Sequence, residues 1–121
     1  MDNSSGAAGE DFTAEYLRQH GYEILRRNFH SRFGEIDIIA CGGGYLAFVE
    51  VKTREEGSSV GPLEAVTAAK QHRIIRTAQS YLQQYPQNLQ PRFDVAAVTA
   101  VRGVPKEILY LRNAFPGTGF I

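Results

Sequence analysis

The stretches Glu35-Ile36-Asp37-Ile38-Ile39-Ala40-Cys41 and Tyr45-Leu46-Ala47-Phe48-Val49-Glu50-Val51-Lys52-Thr53 decide the fold, and Gly42-Gly43-Gly44 separates them. Apolar residues alternate along the first stretch, and both stretches are rich in residues that favour strands. The glycines permit the positive φ angles of a tight reversal. We therefore expect the two stretches to pair as a β-hairpin.

The segments on both sides of this hairpin predict helices and further strands. The predicted elements are a helix from Ser4 or Ser5 to about His20, strands over 22–29, 35–41 and 45–53, a helix from Pro62 to Tyr85, and strands over 93–101 and 108–112. Gly21 is placed to end the first helix and Pro86 to end the second, while Pro62 suits a first helical turn. The order α-β-β-β-α-β, with one additional strand, is typical of an α/β domain whose mixed sheet is flanked by helices. We expect a single domain over 4–113 and an irregular tail over 114–121.

The apolar residues that share one side of each element are the candidates for the core. They are Ala8, Phe12, Ala14, Tyr16 and Leu17 in the first helix, and Leu63, Val66, Ala69, Ile74, Ala78, Tyr81, Leu82 and Tyr85 in the second. In the hairpin they are Ile36, Ile38 and Ala40 on one strand, and Ala47, Val49 and Val51 on the other. We expect these two strand faces to contact the same core.

Length and charge limit the class of protein. The chain has 121 residues and a mass of 13.4 kDa, which fits one domain. It carries 13 basic and 13 acidic residues, so the formal net charge is zero. A nucleic-acid partner therefore cannot be argued from bulk positive charge and must be argued from a local patch.

The cysteine and histidine content indicates the cellular compartment. The single cysteine, Cys41, excludes a disulfide-bonded secreted scaffold, and the three scattered histidines argue against a structural zinc site. No apolar stretch reaches the ~18 residues of a membrane span, and the N-terminal residues lack the features of a signal peptide. We expect a cytoplasmic protein with no membrane partner.

The hairpin also carries the residues most suited to chemistry. Alternation along the strands places Asp37, Glu50 and Lys52 together, on the side opposite the apolar faces. Two neighbouring carboxylates repel each other and raise the pKa of at least one of them, so a lysine and a divalent cation would stabilise the pair. Two carboxylates, a lysine and a divalent cation are the smallest set of groups that metal-dependent phosphodiester hydrolysis requires.

A simpler interpretation is a solvated strand face with a cross-strand salt bridge. Two details favour chemistry instead. Glu50 and Lys52 lie in a strand that reads as central, and Glu10 is on the inward side of the first helix. The alternative for Glu10 is a favourable interaction with the helix dipole near the first turn.

The pattern Asp37…Glu50-Val51-Lys52 resembles the PD-(D/E)xK signature of restriction-endonuclease-like nucleases. More closely, the chain is similar to the YraN-like family of predicted bacterial endonucleases. The matching pieces, over residues 6 to about 98, are Gly6, Gly9-Glu10, Ala14, Tyr16-Leu17, Gly21, Asn28, Gly34-Glu35-Ile36-Asp37, Phe48-Val49-Glu50-Val51-Lys52-Thr53-Arg54, Pro62, Glu64-Ala65-Val66, Lys70 and Arg92-Phe93-Asp94-Val95. One departure is Ile36, where the superfamily carries a proline before the first acid.

The resemblance implies a role for each matching site residue. Asp37 and Glu50 would be metal-binding carboxylates, with the carbonyl of Val51 as an additional ligand and Mg²⁺ or Mn²⁺ as the cofactor. Lys52 would be the catalytic lysine. Glu10 would be the helix-borne acid of the Holliday-junction-resolvase-like branch.

Basic residues near this site are candidates for nucleic-acid binding. Lys70, Arg73 and Arg76 lie within one sector of the second helix, and Arg54 follows Lys52 and Thr53 in the strand. This stripe would follow a phosphate backbone, and its alternative is an ordinary solvated helix face. Arg92 and Asp94, which share a strand face, are expected to form a structural ion pair.

The leading hypothesis is therefore a metal-dependent endonuclease acting on DNA, with branched, repair or recombination intermediates as candidate substrates. One alternative is a module that keeps the nuclease fold but only binds nucleic acid or a protein partner. A second is a structural or assembly protein whose acids form surface ion pairs. Coordinated cutting of two strands would require a homodimer, and the neutral charge leaves room for a protein partner.

Overall fold

The computed structural model describes residues 4–58, 61 and 63–117. The elements are α1 (Ser4–Gln19), β1 (Glu23–Ser31), β2 (Gly34–Gly42), β3 (Tyr45–Glu55), a 3-10 turn (Leu63–Ala65), α2 (Ala68–Gln84), β4 (Gln90–Val101) and β5 (Val104–Leu111). The predicted order of helices and strands is confirmed, including the additional strand. The chain is a mixed α/β protein.

The five strands form one sheet in the order β1-β2-β3-β4-β5. β3 and β4 are parallel, and the other three pairs are antiparallel. Parallel neighbours require a crossover connection, and α2 lies in the crossover from β3 to β4. The sheet is therefore mixed, as predicted.

The glycine run makes the tight hairpin between β2 and β3. Gly42 pairs with Tyr45, so the loop consists of Gly43 and Gly44, whose φ angles are 60° and 87°. Two consecutive positive φ angles are what a two-residue hairpin turn of the favoured twist needs. The predicted hairpin is confirmed.

Both faces of the hairpin are buried, each under one helix. Beneath α1, Ala14 and Leu17 lie in one apolar cluster with Ala40, Ala47 and Val49. Beneath α2, a second cluster contains Ile74, Ala78, Tyr81, Ile39 and Phe48. The expectation that the two apolar strand faces contact the same core is confirmed for Ile38, Ala40, Ala47 and Val49, while α2 covers the other face of the hairpin.

The prediction that Ile36 shares a face with Ile38 is wrong. Ile36 belongs to the cluster beneath α2, whereas Ile38 belongs to the cluster beneath α1. On β1, Arg27 pairs with Ile38 and Phe29 pairs with Ile36, which places Asn28 opposite Asp37. Asn28 adopts a left-handed conformation with φ of 54°. The regular alternation of side chains is therefore interrupted at Asn28 and Asp37, and strand residues before and after this point do not keep to one face of the sheet.

The second helix begins later than predicted. Thr67 is its N-cap, and the Thr67 hydroxyl accepts a hydrogen bond from the Lys70 backbone N–H at 3.2 Å. This cap separates α2 from the 3-10 turn, so the helix starts at Ala68, and Pro62 lies outside the described residues. Ala69 and Tyr85, predicted in the apolar stripe, are both exposed.

The segment after β5 has no helix or strand over residues 112–117, yet it is anchored. The Phe115 side chain is buried, and its ring stacks on Phe93 with 5.3 Å between centroids. The backbone N–H of Ala114 donates to the Phe93 carbonyl. Residues 118–121 of the predicted tail lie outside the described part. Neither helix of the described chain is long and apolar enough to cross a membrane.

Candidate active site

The site forms where β2 and β3 separate. Their paired register ends at Ile38 and Val49, and beyond this point Asp37 Oδ2 accepts a hydrogen bond from the Val51 backbone N–H at 2.8 Å. A side-chain carboxylate thus takes the place of the missing ladder carbonyl. Because the N–H and C=O groups of one strand residue project toward the same neighbour, the Val51 carbonyl faces the same gap.

The gap opens into a cavity of about 490 Å³, which we call the acid cavity. It lies beside the N-terminal halves of α1 and α2. Its lining includes Glu10, Glu35, Asp37, Glu50, Val51, Lys52, Thr53, Lys70 and Arg73. The four residues predicted to carry the chemistry, Glu10, Asp37, Glu50 and Lys52, therefore meet in one place.

Glu50 is the most enclosed acid of the cavity, with 5% of its side chain exposed. Its Oε2 lies 2.8 Å from Lys70 Nζ and 3.3 Å from Lys52 Nζ. A buried carboxylate needs such compensation, because an unpaired charge out of water is costly. Two ammonium groups therefore neutralise one carboxylate in the structure.

The two lysines differ in proton affinity. Burial and the adjacent Lys70 lower the pKa of Lys52, although attraction to Glu50 opposes this. Burial alone would also lower the pKa of Lys70, but hydrogen bonds with Glu50 and Lys52 raise it above its usual value. Since one carboxylate cannot fully balance two cations, Lys52 is the lysine that loses its proton more readily.

Asp37 forms no salt bridge among the described residues. Burial, followed by repulsion from Glu50, raises its pKa to about 7, against the effect of the Val51 N–H. Glu10 and Glu35 add smaller repulsions of the same sign. Near neutral pH this carboxyl group is on the border between its two protonation states, as is common in functional sites.

Glu10 reaches the cavity from α1 and is held by β1. Its Oε1 lies 3.7 Å from Arg27 Nη2, and the same guanidinium nitrogen lies 2.8 Å from Asp11 Oδ1. Burial raises the pKa of Glu10, while Arg27 and a hydrogen bond from the Asn28 side chain partly oppose the shift. Asn28 thus both breaks the strand alternation and fixes an acid of the cavity.

A glycine allows α1 to approach this close. A Cβ at Gly9 would overlap the Thr53 Oγ1 of β3, so only glycine fits between helix and strand here. The Thr53 Oγ1 is buried and has no hydrogen-bond partner among the described residues. The close approach brings Glu10, the next residue, into the cavity. A glycine inside a predicted helix was the sequence signal for it.

The basic residues predicted to bind nucleic acid divide into three groups. Arg73 lines the acid cavity, and Lys70 does so while bonding Glu50, a contact that helical spacing alone did not reveal. Arg76 lies outside the cavity, with its guanidinium 4.2 Å from the centre of the Phe33 ring. Arg54 is partly buried on β3, where it pairs in register with Thr99, and does not line the cavity.

The oxygen atoms of the cavity suit a hard divalent cation. Mg²⁺ takes one or two carboxylates and fills its remaining positions with water and substrate phosphate. Asp37 and Glu50 supply that number of carboxylates, and the Val51 carbonyl adds a third oxygen. Within the described residues, no group of three or more Asp, Glu, His or Cys side chains forms a complete metal-ligand cluster. Asp37, Glu50 and the Val51 carbonyl are the oxygen donors of the cavity that could hold such a cation.

Comparison with known proteins identifies relatives over almost the whole chain. Residues 9–98 match the model of an uncharacterised protein family, UPF0102. A UPF0102 protein of Syntrophotalea carbinolica is 48% identical over 118 residues, covering 97% of this chain and 95% of the relative. Relatives from Symbiobacterium thermophilum and Rhodococcus opacus, also called UPF0102 proteins, are 50% and 45% identical over 116 and 111 residues. The first match covers 95% of this chain and 98% of the relative, and the second 91% and 94%. The chain belongs to the UPF0102 family.

Proposed function

We propose that this protein is a metal-dependent endonuclease with a restriction-endonuclease-like core, which hydrolyses phosphodiester bonds in DNA. One observation carries the proposal. Glu10, Asp37, Glu50 and Lys52, which come from α1, β2 and β3, line a single cavity at the point where β2 and β3 separate. Branched, repair or recombination intermediates are the candidate DNA substrates.

In this proposal Asp37, Glu50 and the Val51 carbonyl hold Mg²⁺ or Mn²⁺. The bound metal would supply a Lewis acid and lower the pKa of a bound water. The raised pKa of Asp37, which comes from burial and then from repulsion by Glu50, supports this role. A cation beside Asp37 would favour its ionised form.

Lys52 acts on the substrate. Its ammonium group lies at the cavity with 26% of the side chain exposed, and it is held by Glu50 at 3.3 Å. A positioned ammonium in a partly desolvated cavity stabilises negative charge that develops on an attacked phosphate. Burial and the adjacent Lys70 lower the pKa of Lys52, so this ammonium group gives up its proton more readily than an exposed lysine.

Lys70 holds Glu50 in place, and Glu10 contributes a further acid from α1. Lys70, at 2.8 Å, keeps Glu50 ionised and oriented from the α2 side of the cavity. Glu10, restrained by Arg27, adds negative charge from α1. Acids from α1, β2 and β3 thus line the cavity that a metal and a phosphate would share.

Cleavage of defined DNA substrates tests the proposal. The purified chain is incubated with linear, nicked and branched DNA in Mg²⁺, in Mn²⁺ and in a chelator. We expect metal-dependent cleavage that Asp37→Ala abolishes and that the exposed-acid control Glu107→Ala retains. Absence of cleavage on every substrate, or equal cleavage by Asp37→Ala, would overturn the proposal.

A non-catalytic binding module is the second candidate, and the double pairing of Glu50 favours it. A carboxylate already neutralised by Lys52 and Lys70 is also what a purely structural ion cluster would contain. Calorimetric titration with Mg²⁺ separates the two functions. The nuclease should release heat on metal binding that Asp37→Ala removes, whereas a binding module should give the same heats with and without Asp37.

A further inference from the structure

A second cavity of about 530 Å³ lies between the β1–β2 turn and α2, and we call it the arginine cleft. Its lining includes His30, Arg32, Phe33 and Arg76, and the remaining groups are hydroxyls and amides. None of the residues that line it is an Asp or a Glu. In a chain whose net charge is zero, this absence leaves a locally positive surface.

The aromatic ring of Phe33 organises the two arginines of the cleft. The guanidinium carbons of Arg76 and Arg32 lie 4.2 Å and 4.9 Å from the centre of the ring. Both distances are typical of cation–π contacts, which engage the face of a guanidinium and leave its N–H edges available. Among the described residues, neither arginine has a carboxylate within ion-pair distance.

The cleft is built on a rigid part of the fold. Ser31 Oγ lies 2.9 Å from Thr77 Oγ1 of α2, and the Phe33 backbone N–H donates to Ser31 Oγ at 3.1 Å. These contacts fix the turn against the helix. The turn that carries Arg32 and Phe33 is therefore held against α2 before a ligand arrives, which lowers the entropic cost of binding.

We propose that the arginine cleft is a phosphate clamp for the DNA strand that enters or leaves the acid cavity, with Arg32 and Arg76 binding successive phosphates and Phe33 positioning them. This inference rests on the proposed nuclease function and names a subsite for its substrate. Free guanidinium edges recognise phosphate oxygens by paired hydrogen bonds. The hydroxyl and amide groups of the lining add neutral donors of the kind that contact nucleic-acid backbones.

The spacing along α2 connects the clamp to the acid cavity. Lys70, Arg73 and Arg76 follow each other at intervals of three residues, so their line crosses the helix obliquely from the acid cavity toward the turn. The rise from Lys70 to Arg76 is about 9 Å, which equals the length of roughly two to three nucleotides. One strand could therefore contact both places at once.

The test is DNA binding measured by fluorescence anisotropy in a chelator, where no cleavage occurs. A labelled single-stranded oligonucleotide and a branched DNA are titrated from about 50 to about 200 mM salt. We expect Arg32→Ala/Arg76→Ala to weaken binding by about tenfold or more and to reduce the salt slope by about 1.4 for a single strand. The matched control is Arg18→Ala/Arg112→Ala, which removes two exposed arginines outside the cleft and should change the affinity by less than about threefold.

Conservative variants test whether DNA binding depends on the geometry of the clamp or only on its positive charge. Arg32→Lys/Arg76→Lys retains both charges and removes the planar groups, so we expect an intermediate loss of roughly threefold. Phe33→Leu should weaken binding to a similar extent. Circular dichroism checks that each variant folds, and the lysine variants test the clamp if the alanine pair does not fold.

The failure of the clamp and the failure of the nuclease proposal can be distinguished. If the wild type binds DNA through Arg32 and Arg76 but cleaves nothing in Mg²⁺ or Mn²⁺, the clamp stands and the hydrolytic function falls. If the enzyme cleaves DNA and the variant Arg32→Ala/Arg76→Ala binds DNA as tightly as the control variant Arg18→Ala/Arg112→Ala, the clamp is overturned. Absence of DNA binding by the wild type at the lowest salt would also overturn it.

Discussion

Asp94 on β4 and Asp37 on β2 are acids of one sheet whose strands lie on either side of β3, and their surroundings compensate their charges to different extents. Asp94 is fully buried on β4, in register with Val49. Asp37 lies on β2 just beyond the last β2–β3 pair, Ile38 with Val49. The two carboxylates differ in the number of hydrogen-bond donors that surround them.

Each oxygen of Asp94 has more than one hydrogen-bond donor. Arg92 donates through Nε at 2.9 Å to Oδ1 and through Nη2 at 2.9 Å to Oδ2. The Tyr110 hydroxyl donates to Oδ2 at 2.7 Å, and the Asn113 backbone N–H donates to Oδ1 at 2.9 Å. Burial and the ionised Asp94 raise the pKa of Tyr110. Burial would lower the pKa of Arg92, but the hydrogen bonds of Arg92 outweigh this effect and raise its pKa. The predicted structural ion pair is confirmed.

Asp37, in contrast, accepts a hydrogen bond from the Val51 N–H and is repelled by Glu50, Glu10 and Glu35. A balanced charge cluster indicates a structural role because nothing in it needs a further partner. An unbalanced cluster in a cavity is a candidate functional site. This difference, rather than the mere presence of buried acids, distinguishes the candidate active site from the rest of the sheet.

Replacement of Lys52 should give the largest effect and tests the unbalanced cluster. Lys52→Ala removes the positioned ammonium, so we expect the rate of DNA cleavage to fall by about 10³-fold, equivalent to about 4 kcal/mol of transition-state stabilisation. Single-turnover cleavage in Mg²⁺ measures it. Lys106→Ala, an exposed lysine on β5, is the control and should cleave at the wild-type rate. A loss of less than tenfold would remove Lys52 from the reaction.

Replacement of Arg92 tests the balanced charge cluster around Asp94. Arg92→Met leaves Asp94 buried with its charge uncompensated, so we expect the free energy of unfolding to fall by about 3 kcal/mol. Urea denaturation near neutral pH measures it. The milder Tyr110→Phe removes one hydrogen bond and should cost about 1 to 2 kcal/mol. If Arg92→Met cost less than Tyr110→Phe, the cluster would not be the structural anchor inferred here.

Replacement of Asp37 should stabilise the fold, in contrast to Arg92. The native pKa of about 7 lies above the unfolded value, so the native state binds more protons between about pH 4 and pH 7. Stability therefore falls as the pH rises through this window, and the full cost is present above it. Asp37→Asn should raise the free energy of unfolding by about 2 kcal/mol near pH 8 and by much less near pH 5.

Thermal unfolding at both pH values, with and without Mg²⁺, measures this effect. Mg²⁺ should raise the midpoint of the wild type and leave that of Asp37→Asn unchanged, since a ligand stabilises only the state that binds it. Equal stability of the two proteins near pH 8 would mean that Asp37 is not under electrostatic stress.

Replacement of Gly9 should give the smallest effect and tests how closely α1 approaches the acid cavity. Gly9→Ala forces a methyl group against Thr53 Oγ1, so we expect a loss of about 1 kcal/mol. The same change in a Thr53→Ala background should cost less than half as much, because the overlapping oxygen is gone. Urea denaturation of the four proteins in this double-mutant cycle measures the coupling. Additive losses would show that Gly9 is not constrained by Thr53.

Much of the fold could be predicted because its signals are local. The hairpin follows from three glycines between two strand-like stretches, and Gly43 and Gly44 adopt the expected positive φ angles. The first helix ends before Gly21 as predicted, whereas the second starts at the Thr67 cap rather than at Pro62. Pro62 was a weaker signal because a proline permits a helix start without satisfying the free N–H groups that Thr67 caps.

Less of the site could be predicted, because its contacts join distant segments. Strand alternation brought Asp37, Glu50 and Lys52 to one locality, and they do line one cavity. Alternation could not reveal that Lys70 bonds Glu50 from another layer or that Asn28 interrupts the strand and fixes Glu10. The Phe33 contacts with Arg32 and Arg76 likewise depend on how the β1–β2 turn lies against α2.

The sequence by itself determined the order of the elements, the hairpin and the family, since turn chemistry, periodicity and motif spacing act over a few residues. Only the tertiary structure decided which charges are balanced. Asp94 receives Arg92 from two residues away, but its other donors lie 16 and 19 residues along the chain. Asp37 receives no comparable set because β2 and β3 separate beside it. The energy of a buried charge depends on every group within a few ångströms, and those neighbours are set by packing.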